Sequence, residues 1–167
     1  CAGGGWWGGN ILGEAIASGR CEIVGLCDVD ARQVASTRER IAKVTSDQPR
    51  EYRDYRELLA KEKPEIVIVA TPDHWHALPT IAAVQAGAHV YVEKPIAHTI
   101  AEGRAMLNAA RAAGRVVQVG THRRTSPHTV KAREFLRSGK VGKIGMVRCF
   151  VNNAGGGPEK PSPTLPV

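Results

Sequence analysis

The sequence has few of the features that mark membrane, zinc-binding or disulfide-rich proteins. It contains no apolar run of about eighteen residues, the length at which a helix can span a bilayer. None of its four cysteines stands in a CxxC pair, and Cys27 lies within an apolar segment. We therefore expect no membrane partner, no metal site and no disulfide framework, with the cysteines reduced and mostly buried.

Aromatic residues are also scarce, at 5% of the chain, and this bears on how the positive charge is interpreted. The net charge of +7 comes from residues 101–167, since acidic side chains slightly outnumber basic ones in residues 1–100. The basic side chains are dispersed among apolar positions and do not alternate with aromatic ones. A solvated basic face fits this pattern better than a nucleic-acid interface, so we expect no nucleic-acid partner.

The chain also lacks an initiator methionine, because it begins at Cys1, and it ends after a run rich in glycine and proline. We expect it to be a fragment of a longer protein. Its 167 residues, of which 43% are apolar, are enough for one domain with a buried core. A cytoplasmic location is expected, with an export signal ahead of Cys1 left open.

What the sequence does contain is a regular alternation of strands and helices. The most apolar run, residues 65–70, predicts a strand that is buried on both faces of a parallel sheet. Further strands are predicted at residues 21–29, 50–52, 88–92, 115–119 and 143–151, and helices at residues 8–18, 31–44, 55–61, 75–85, 99–114 and 127–136. Asp54 is the expected N-cap of the third helix. This order predicts an α/β fold with a parallel sheet, in which the strand that should precede the glycine-rich opening is missing.

The opening segment fits the pattern G-x-G-x-x-G at Gly3, Gly5 and Gly8. In a dinucleotide-binding turn the first glycine makes the tight bend, the second admits the pyrophosphate, and the third allows close helix–strand packing. The following helix would present its N-terminus to the phosphate charge. A flexible glycine-rich loop without a ligand is the alternative interpretation.

An acidic residue follows this motif at the distance that dinucleotide sites use. Asp28 lies at the end of the strand predicted at residues 21–29, twenty residues after Gly8. A carboxylate at this position can accept hydrogen bonds from the ribose hydroxyls and repel a 2′-phosphate. NAD is therefore favoured over NADP, although Arg32 nearby could serve a 2′-phosphate. Asp28 could instead cap the next helix, a role for which Asp30 is better placed.

Two polar segments follow later strands, at the sheet edge where ligands of open α/β folds bind. Residues 71–76 read TPDHWH and could equally be a helix-start loop capped by Asp73. Glu93, Lys94 and Pro95 follow the strand at 88–92. The Lys94 ammonium could stabilise negative charge that develops on a reacting oxygen, and Pro95 allows a cis peptide bond that would aim it.

The segments GGGWWG, CDVD, ATPDHWHA, VYVEKPIAHT and QVGTHRR occur in this order and together resemble the Gfo/Idh/MocA oxidoreductases. The resemblance spans nearly the whole chain, and EKP is its most specific part. It implies a Rossmann-type doubly wound parallel sheet at residues 1–121, with its first strand missing. Residues 122–167 would begin a second α/β domain, which in this family forms the substrate site and the oligomer interface.

The resemblance also implies an NAD(P)-dependent hydride transfer on a sugar-like or cyclitol-like substrate, in a protein that forms homo-oligomers. Lys94 would be the catalytic residue beside substrate and nicotinamide, and Arg123 and Arg124 would lie on the substrate side. NAD is the expected cofactor, with NADP left open. The residues expected at the cofactor are Gly3, Gly5, Trp6, Trp7, Gly8, Asp28, Thr71, Pro72, His76, Glu93 and Lys94.

The chain departs from the family in one respect that matters for catalysis. Family members use a histidine of the second domain as acid/base, often with a nearby aspartate, and no such pair follows Phe150. His122 is the nearest candidate within the chain. Two alternatives stand beside the oxidoreductase: a non-catalytic dinucleotide-sensing protein of the same fold, and an S-adenosylmethionine-dependent methyltransferase. Substrate identity and redox direction are left open.

Overall fold

A computed structural model describes residue 3 and residues 5–150, apart from the side chain of Trp6. Strands and helices alternate in it as the sequence predicts. The strands are β1 (Gly25–Cys27), β2 (Arg50–Tyr52), β3 (Ile66–Val69), β4 (His89–Val92) and β5 (Val117–Val119). The helices are α1 (Trp6–Ala17), α2 (Ala31–Ile41), α3 (Tyr55–Glu62), α4 (Ala77–Gln85), α5 (Ile100–Ala113) and α6 (Pro127–Arg137).

All observed strand pairs are parallel. Strand β1 pairs with β2, while β3, β4 and β5 form a second group in that order. The connection between consecutive strands contains a helix in each case, as parallel pairing requires. The predicted α/β fold of the Rossmann type is confirmed.

The two strand groups are separated by a groove of about 400 Å³ between β1 and β3. On β3, the carbonyl oxygens of Glu65 and Val69 accept hydrogen bonds from the amides of His89 and Glu93, each 2.8–2.9 Å long. Because peptide groups alternate along a parallel strand, Ile66 turns its backbone polar groups toward the groove instead of toward β4. The groove therefore lies where the sequence predicts a missing central strand.

Helices cover both faces of the sheet. Leu26 of β1 and Ile68 of β3 pack with α1 and α2 in one apolar cluster. Their neighbours Cys27, Val67 and Val69 point to the opposite face and pack with α3, α4 and α5. This alternation is the signature of a strand buried on both faces, and it makes the sheet doubly wound.

Short polar side chains cap the N-termini of α2, α3 and α5. The Asp54 carboxylate accepts from the Arg56 amide at the start of α3, as the sequence predicts. Thr99 and Glu102 form a capping box at α5, in which the Thr99 oxygen accepts from the Glu102 amide at 3.2 Å and the Glu102 carboxylate accepts from the Thr99 amide at 2.8 Å. These caps set the points at which the chain leaves the ligand-facing edge and enters a helix.

The strand predicted at residues 143–151 is wrong for residues 143–150, which contain no strand, while Val151 lies outside the described residues. Among the residues that the structure describes, no strand pairs with this segment, and an unpaired strand leaves its backbone groups unsatisfied. Its apolar side chains are exposed, namely those of Ile144, Met146, Val147 and Phe150.

The contacts divide the chain into two compact units, residues 1–122 and residues 123–167. The described part of the second unit consists of α6 and the segment that follows it. That it begins a substrate domain stays a prediction. Within residues 3 and 5–150, no helix combines the length and the apolar character needed to cross a membrane.

Removing the Thr99 cap should weaken the fold measurably. We expect Thr99→Ala to lower the free energy of unfolding by about 1 kcal/mol, since the Glu102 amide at the α5 N-terminus loses its acceptor. Ser126→Ala is the matched control, because Ser126 is the N-cap residue of α6 and makes no capping hydrogen bond to a backbone amide. Urea unfolding measures both variants, and equal losses would contradict the assignment of the cap.

Candidate functional site

The glycine-rich turn lies between the carboxyl ends of β1 and β3. The Gly3 amide donates to the Cys27 carbonyl oxygen at 2.9 Å, and its φ of +94° is in the region that favours glycine. A Cβ on Gly3 would lie 2.5 Å from the carbonyl carbon and oxygen of Ala70, and a Cβ on Gly8 would overlap the Gly3 carbonyl oxygen. The first and third glycines of the motif are thus required by close backbone packing.

The second glycine has a different environment. Gly5 is the N-cap residue of α1, and a Cβ built on it meets no atom of the described residues within 4 Å. No side chain caps this helix. The first turn of α1 therefore offers its backbone amides and the positive end of its dipole to open space, which is the arrangement that binds a phosphate.

Asp28 follows β1 at the same edge of the sheet. Its amide donates to the Tyr52 carbonyl oxygen, and its carboxylate accepts from the Asp30 amide at 2.9 Å. Asp30, and not Asp28, is the N-cap of α2. The capping alternative for Asp28 is therefore removed by the residue that fits the role better.

Arg32, which could have served a 2′-phosphate, is paired with Asp30 instead. Its Nε and Nη2 atoms lie 3.0 and 2.8 Å from the two carboxylate oxygens. These hydrogen bonds hold the pKa of Asp30 below its ordinary value and raise the pKa of Arg32. The pair occupies the guanidinium fork in bidentate contact.

His76 joins the second and third motifs. Its side chain is buried, at 1% exposure, with Nδ1 lying 2.6 Å from the Pro95 carbonyl oxygen and Nε2 2.9 Å from the Thr71 carbonyl oxygen. A neutral imidazole donates to one of these oxygens, and a doubly protonated ring donates to both. The ring thereby holds the loop after β3 against the loop after β4.

Thr71 supplies a polar atom that has no use within the described part of the chain. Its Oγ1 is buried and has no hydrogen-bond partner there. Pro72 is exposed and precedes a 3-10 turn at Asp73–Trp75, so that α4 begins two residues later than the predicted start at residue 75. An unsatisfied hydroxyl beside the open Gly5 turn is what a site for a polar ligand would leave behind.

Glu93 is a buried carboxylate at the carboxyl end of β4, with 4% exposure. Its Oε2 accepts from the Lys94 amide at 3.0 Å, and its Oε1 accepts from the Tyr91 hydroxyl at 3.3 Å. Burial of the ring, followed by the charge and the hydrogen bond of Glu93, raises the pKa of Tyr91 above its ordinary value. Gly120, which follows β5, leaves the space that the carboxylate fills.

Lys94 extends beyond this buried pair. Its side chain is exposed, and within residues 3 and 5–150 its ammonium has no ion-pair or hydrogen-bond partner. The Lys94–Pro95 peptide bond is cis, which the sequence had left as an option. The ammonium is thus presented to a ligand at the edge of the sheet and is not used by the fold.

The remaining predicted site residues are Trp6, Trp7, Arg123 and Arg124. Trp7, at 37% exposure, lies with its ring centroid 5.4 Å from that of His122, so the glycine turn reaches the segment after β5. The Trp6 side chain lies outside the described residues. Arg123 and Arg124 are exposed and belong to the second unit, so their expected place on the substrate side stays a prediction.

Tyr91 and Gly120 belong to the segments VYVEKPIAHT and QVGTHRR, and the structure adds that both lie against the Glu93 carboxylate. Tyr91 precedes Glu93 by two positions on one strand, so their side chains share a face, and this signal was present in the sequence. The role of Gly120 depends on the register between β4 and β5, which the sequence does not state.

The described residues at this edge provide neither a metal-binding group of side chains nor an ionised thiol. Within the described residues, no group of three or more histidine, cysteine or acidic side chains could hold a metal ion. Burial raises the pKa of the Cys27 thiol to about 11, so this cysteine remains a neutral thiol at physiological pH.

Comparison with known proteins agrees with this geometry. Residues 2–121 match the Gfo/Idh/MocA family, which is described as an oxidoreductase family with an NAD-binding Rossmann fold. The chain is 32% identical over 143 residues to the inositol 2-dehydrogenase of Salmonella typhimurium, covering 85% of this chain and 41% of that protein. It is 30% identical over 141 residues to the D-glucoside 3-dehydrogenase of Escherichia coli, covering 81% and 39%.

Among solved structures, the WlbA dehydrogenase from Bordetella pertussis, crystallised with NADH and UDP-GlcNAcA, superposes with a TM-score of 0.76. The two sequences are 26% identical over 86% of this chain and 42% of that one. The chain thus spans about two fifths of the length of the curated relatives it matches. The family match decides against the methyltransferase alternative, and the chain belongs to the Gfo/Idh/MocA family of oxidoreductases, with an NAD-binding Rossmann fold.

Proposed function

We propose that the protein is an NAD-dependent dehydrogenase that transfers a hydride between nicotinamide and a hydroxyl-bearing carbon of a sugar or cyclitol. One observation carries the proposal. The open Gly5 turn, the unpartnered Thr71 hydroxyl and the Lys94 ammonium lie on loops that are tied together at one edge of the sheet. This edge is where open α/β sheets bind nucleotides.

The glycine turn would hold the pyrophosphate. The space beside Gly5 and the uncapped amides of α1 fit a doubly charged linker, whose charge meets the positive end of the helix. The Thr71 hydroxyl is buried and lacks a partner within the described chain, so a small movement of its loop would be needed for it to bond a ligand in the same crevice. These contacts bind the middle of the cofactor and position its two ends.

Asp28 would select the adenosine half. Its carboxylate can accept hydrogen bonds from the ribose hydroxyls and would repel a 2′-phosphate. Arg32 is engaged by Asp30 and is not free to compensate that repulsion. NAD is therefore the cofactor that these residues favour.

Lys94 would act at the reacting oxygen. When bound, the nicotinamide ring accepts or donates the hydride, while the protein supplies binding, orientation and charge. The Lys94 ammonium would donate a hydrogen bond to the substrate oxygen and stabilise negative charge as its proton leaves. Glu93 holds the Lys94 backbone in place, since its carboxylate accepts from the Lys94 amide.

The remaining parts of the reaction depend on the whole protein. The hydroxyl proton would pass to a histidine of the second domain, as the family resemblance implies, and Arg123 and Arg124 would face the substrate. The Trp6 and Trp7 positions and Pro72 would border the cofactor, while His76 would act by holding its loops. We further propose a cytoplasmic homo-oligomer without nucleic-acid or membrane partners.

Gly5→Ala tests the cofactor site without disturbing the fold. A methyl group at Gly5 meets no atom of the described residues within 4 Å, so the melting temperature should stay near that of the wild type. The same methyl would occupy the space proposed for the pyrophosphate, so the NADH dissociation constant should rise about tenfold or more, as for one overpacked contact. Fluorescence titration of the protein from the complete gene measures the affinity.

Gly13→Ala is the matched control for this experiment. Gly13 also lies in α1 with open space at its Cβ, but away from the turn. It should leave NADH affinity unchanged and add up to about 1 kcal/mol to stability, the helix propensity difference between the two residues. Unchanged NADH affinity in both variants would contradict the placement of the pyrophosphate at the glycine turn.

Asp28 should set the preference between the two dinucleotides. We expect the wild type to bind NADH more tightly than NADPH, and Asp28→Asn to reduce or reverse that preference by removing the charge that repels the 2′-phosphate. Glu39→Gln is the control, because it removes one charge from an exposed residue of α2 and leaves both Asp28 and the Asp30–Arg32 pair in place. Tighter NADPH binding by the wild type would contradict the assignment.

Lys94 should matter for the chemical step more than for binding. Lys94→Ala should lower kcat by about 10²-fold or more, the size expected when one electrostatic donor to a developing oxyanion is lost. NADH affinity should change little, since the glycine turn and Asp28 hold the rest of the cofactor. Lys94→Arg should not restore activity, because a planar guanidinium does not replace a compact ammonium.

Steady-state kinetics beside a thermal melt separates this role from a structural one. Lys43→Ala is the control, since Lys43 is an exposed lysine that follows α2. It should keep full activity. A well-folded Lys94→Ala variant with normal kcat would end the catalytic assignment of Lys94.

A further inference from the structure

The Glu93 carboxylate is buried at a position where burial is costly. A charged group out of contact with water loses several kcal/mol of hydration unless the protein replaces the lost hydrogen bonds. Within the described residues it receives two, from the Lys94 amide and from the Tyr91 hydroxyl. The Tyr91 hydroxyl is the side-chain donor of this pair, so the tyrosine holds one carboxylate oxygen while the lysine backbone holds the other.

The strand register places Gly120 beside Glu93. Val92 of β4 lies opposite Val119 of β5, so the residues that follow, Glu93 and Gly120, are neighbours across the ladder. The Gly120 amide donates to the Val92 carbonyl oxygen at 2.8 Å and closes the ladder at this point. Gly120 is buried, so a side chain placed there would have to share the space at the end of β4.

The three atoms nearest to a side chain placed at Gly120 all belong to the Glu93–Tyr91 pair. Its Cβ would overlap Glu93 Oε1, lie 2.7 Å from the Tyr91 hydroxyl oxygen and lie 3.0 Å from Glu93 Cδ. The backbone at Gly120 has no positive φ, so the need for glycine here comes from space and not from conformation. The Glu93 carboxylate occupies the space that a side chain at Gly120 would need.

We propose that Tyr91 and Gly120 are positioning residues of the site: the tyrosine hydroxyl holds the Glu93 carboxylate, and the glycine leaves its space. Together they fix the turn that presents Lys94. The proposal deepens the proposed function and rests on it wherever the effect is measured in catalysis. Neither residue touches the reacting atoms, and both act through Glu93.

The chain of contacts is short. Glu93 accepts from the Lys94 amide, so a shift of the carboxylate moves the backbone that carries the ammonium. Lys94 itself has no side-chain partner within residues 3 and 5–150, so this backbone contact is what the Glu93 side chain contributes to its placement. An ammonium displaced by about 1 Å from the reacting oxygen loses much of its effect on rate.

The first test is a double-mutant cycle in the protein from the complete gene. Tyr91→Phe should lower kcat about tenfold, the size of one hydrogen bond to a charged group, with little change in NADH affinity. Tyr91→Phe should also lower the melting temperature by several degrees, because a buried carboxylate loses one of its donors. In a Glu93→Ala background the same change should alter both kcat and melting temperature much less, with kcat changing less than about twofold, because the carboxylate it held is gone. Equal effects in both backgrounds would overturn the proposal.

Gly120→Ala provides the second variant. It should lower kcat more than Tyr91→Phe does, since its methyl group displaces the carboxylate outright. Tyr55→Phe and Gly103→Ala are the matched controls, one a tyrosine of α3 and the other a helical glycine whose Cβ would make an ordinary 3.8 Å contact with Ala97. Both should keep wild-type kcat, and a Tyr91→Phe or Gly120→Ala variant as active as its control would contradict the assignment.

A measurement that does not depend on turnover tests the Tyr91–Glu93 contact separately from the proposed function. The Tyr91 titration, identified as the absorbance step lost in Tyr91→Phe, should move to lower pH in Glu93→Ala, because the carboxylate that disfavours the phenolate is removed. If the wild type neither binds NADH nor oxidises a polyol, the proposed function fails and this shift still tests the contact. An unchanged Tyr91 titration would show that Tyr91 does not hold Glu93.

Discussion

The His76 imidazole lies between the carbonyl oxygens of Thr71 and Pro95, with almost no exposure to solvent. These carbonyls belong to loops that follow two neighbouring strands, β3 and β4. A buried ring whose two nitrogens lie within hydrogen-bond distance of both oxygens links the two loops. Two walls of the crevice at the carboxyl edge of the sheet are therefore linked.

The glycine turn is attached to the same edge by backbone packing. Gly3 lies against Ala70, which directly precedes Thr71, so the turn proposed for the pyrophosphate and the loop held by His76 share one contact surface. On the far side, the register of β4 and β5 places Gly120 beside Glu93. A ligand that spans these loops would meet the turn at its middle and Lys94 at one end, which is how a dinucleotide is laid out in this fold.

The sequence was sufficient wherever a local rule decides the structure. A continuous apolar run located β3, and the capping preference of Asp54 located the start of α3. It was insufficient wherever a residue depends on a distant partner. Residues 143–150 have the composition of a strand but no neighbour among the described residues to pair with, and composition alone cannot supply one.

The same division applies to the site. Gly3, Gly5 and Gly8 were identified by their spacing, and their environments differ in the way that the motif requires. The burial of His76 and the contact of Tyr91 with Glu93 depend on how loops and strands meet, so the sequence named the first without its role and passed over the second. A sequence motif indicates which residues lie at one edge of the sheet, whereas the strand register determines which of them are in contact.

The most direct measurement is a crystal structure of the protein from the complete gene with NADH bound. Our account predicts the pyrophosphate within hydrogen-bond distance, about 3 Å, of the amides at the start of α1, in the open space beside Gly5. It predicts the ribose of adenosine at Asp28 and the nicotinamide at the Glu93–Lys94 end of the crevice. A cofactor bound in the opposite direction, or away from the Gly5 turn, would contradict it.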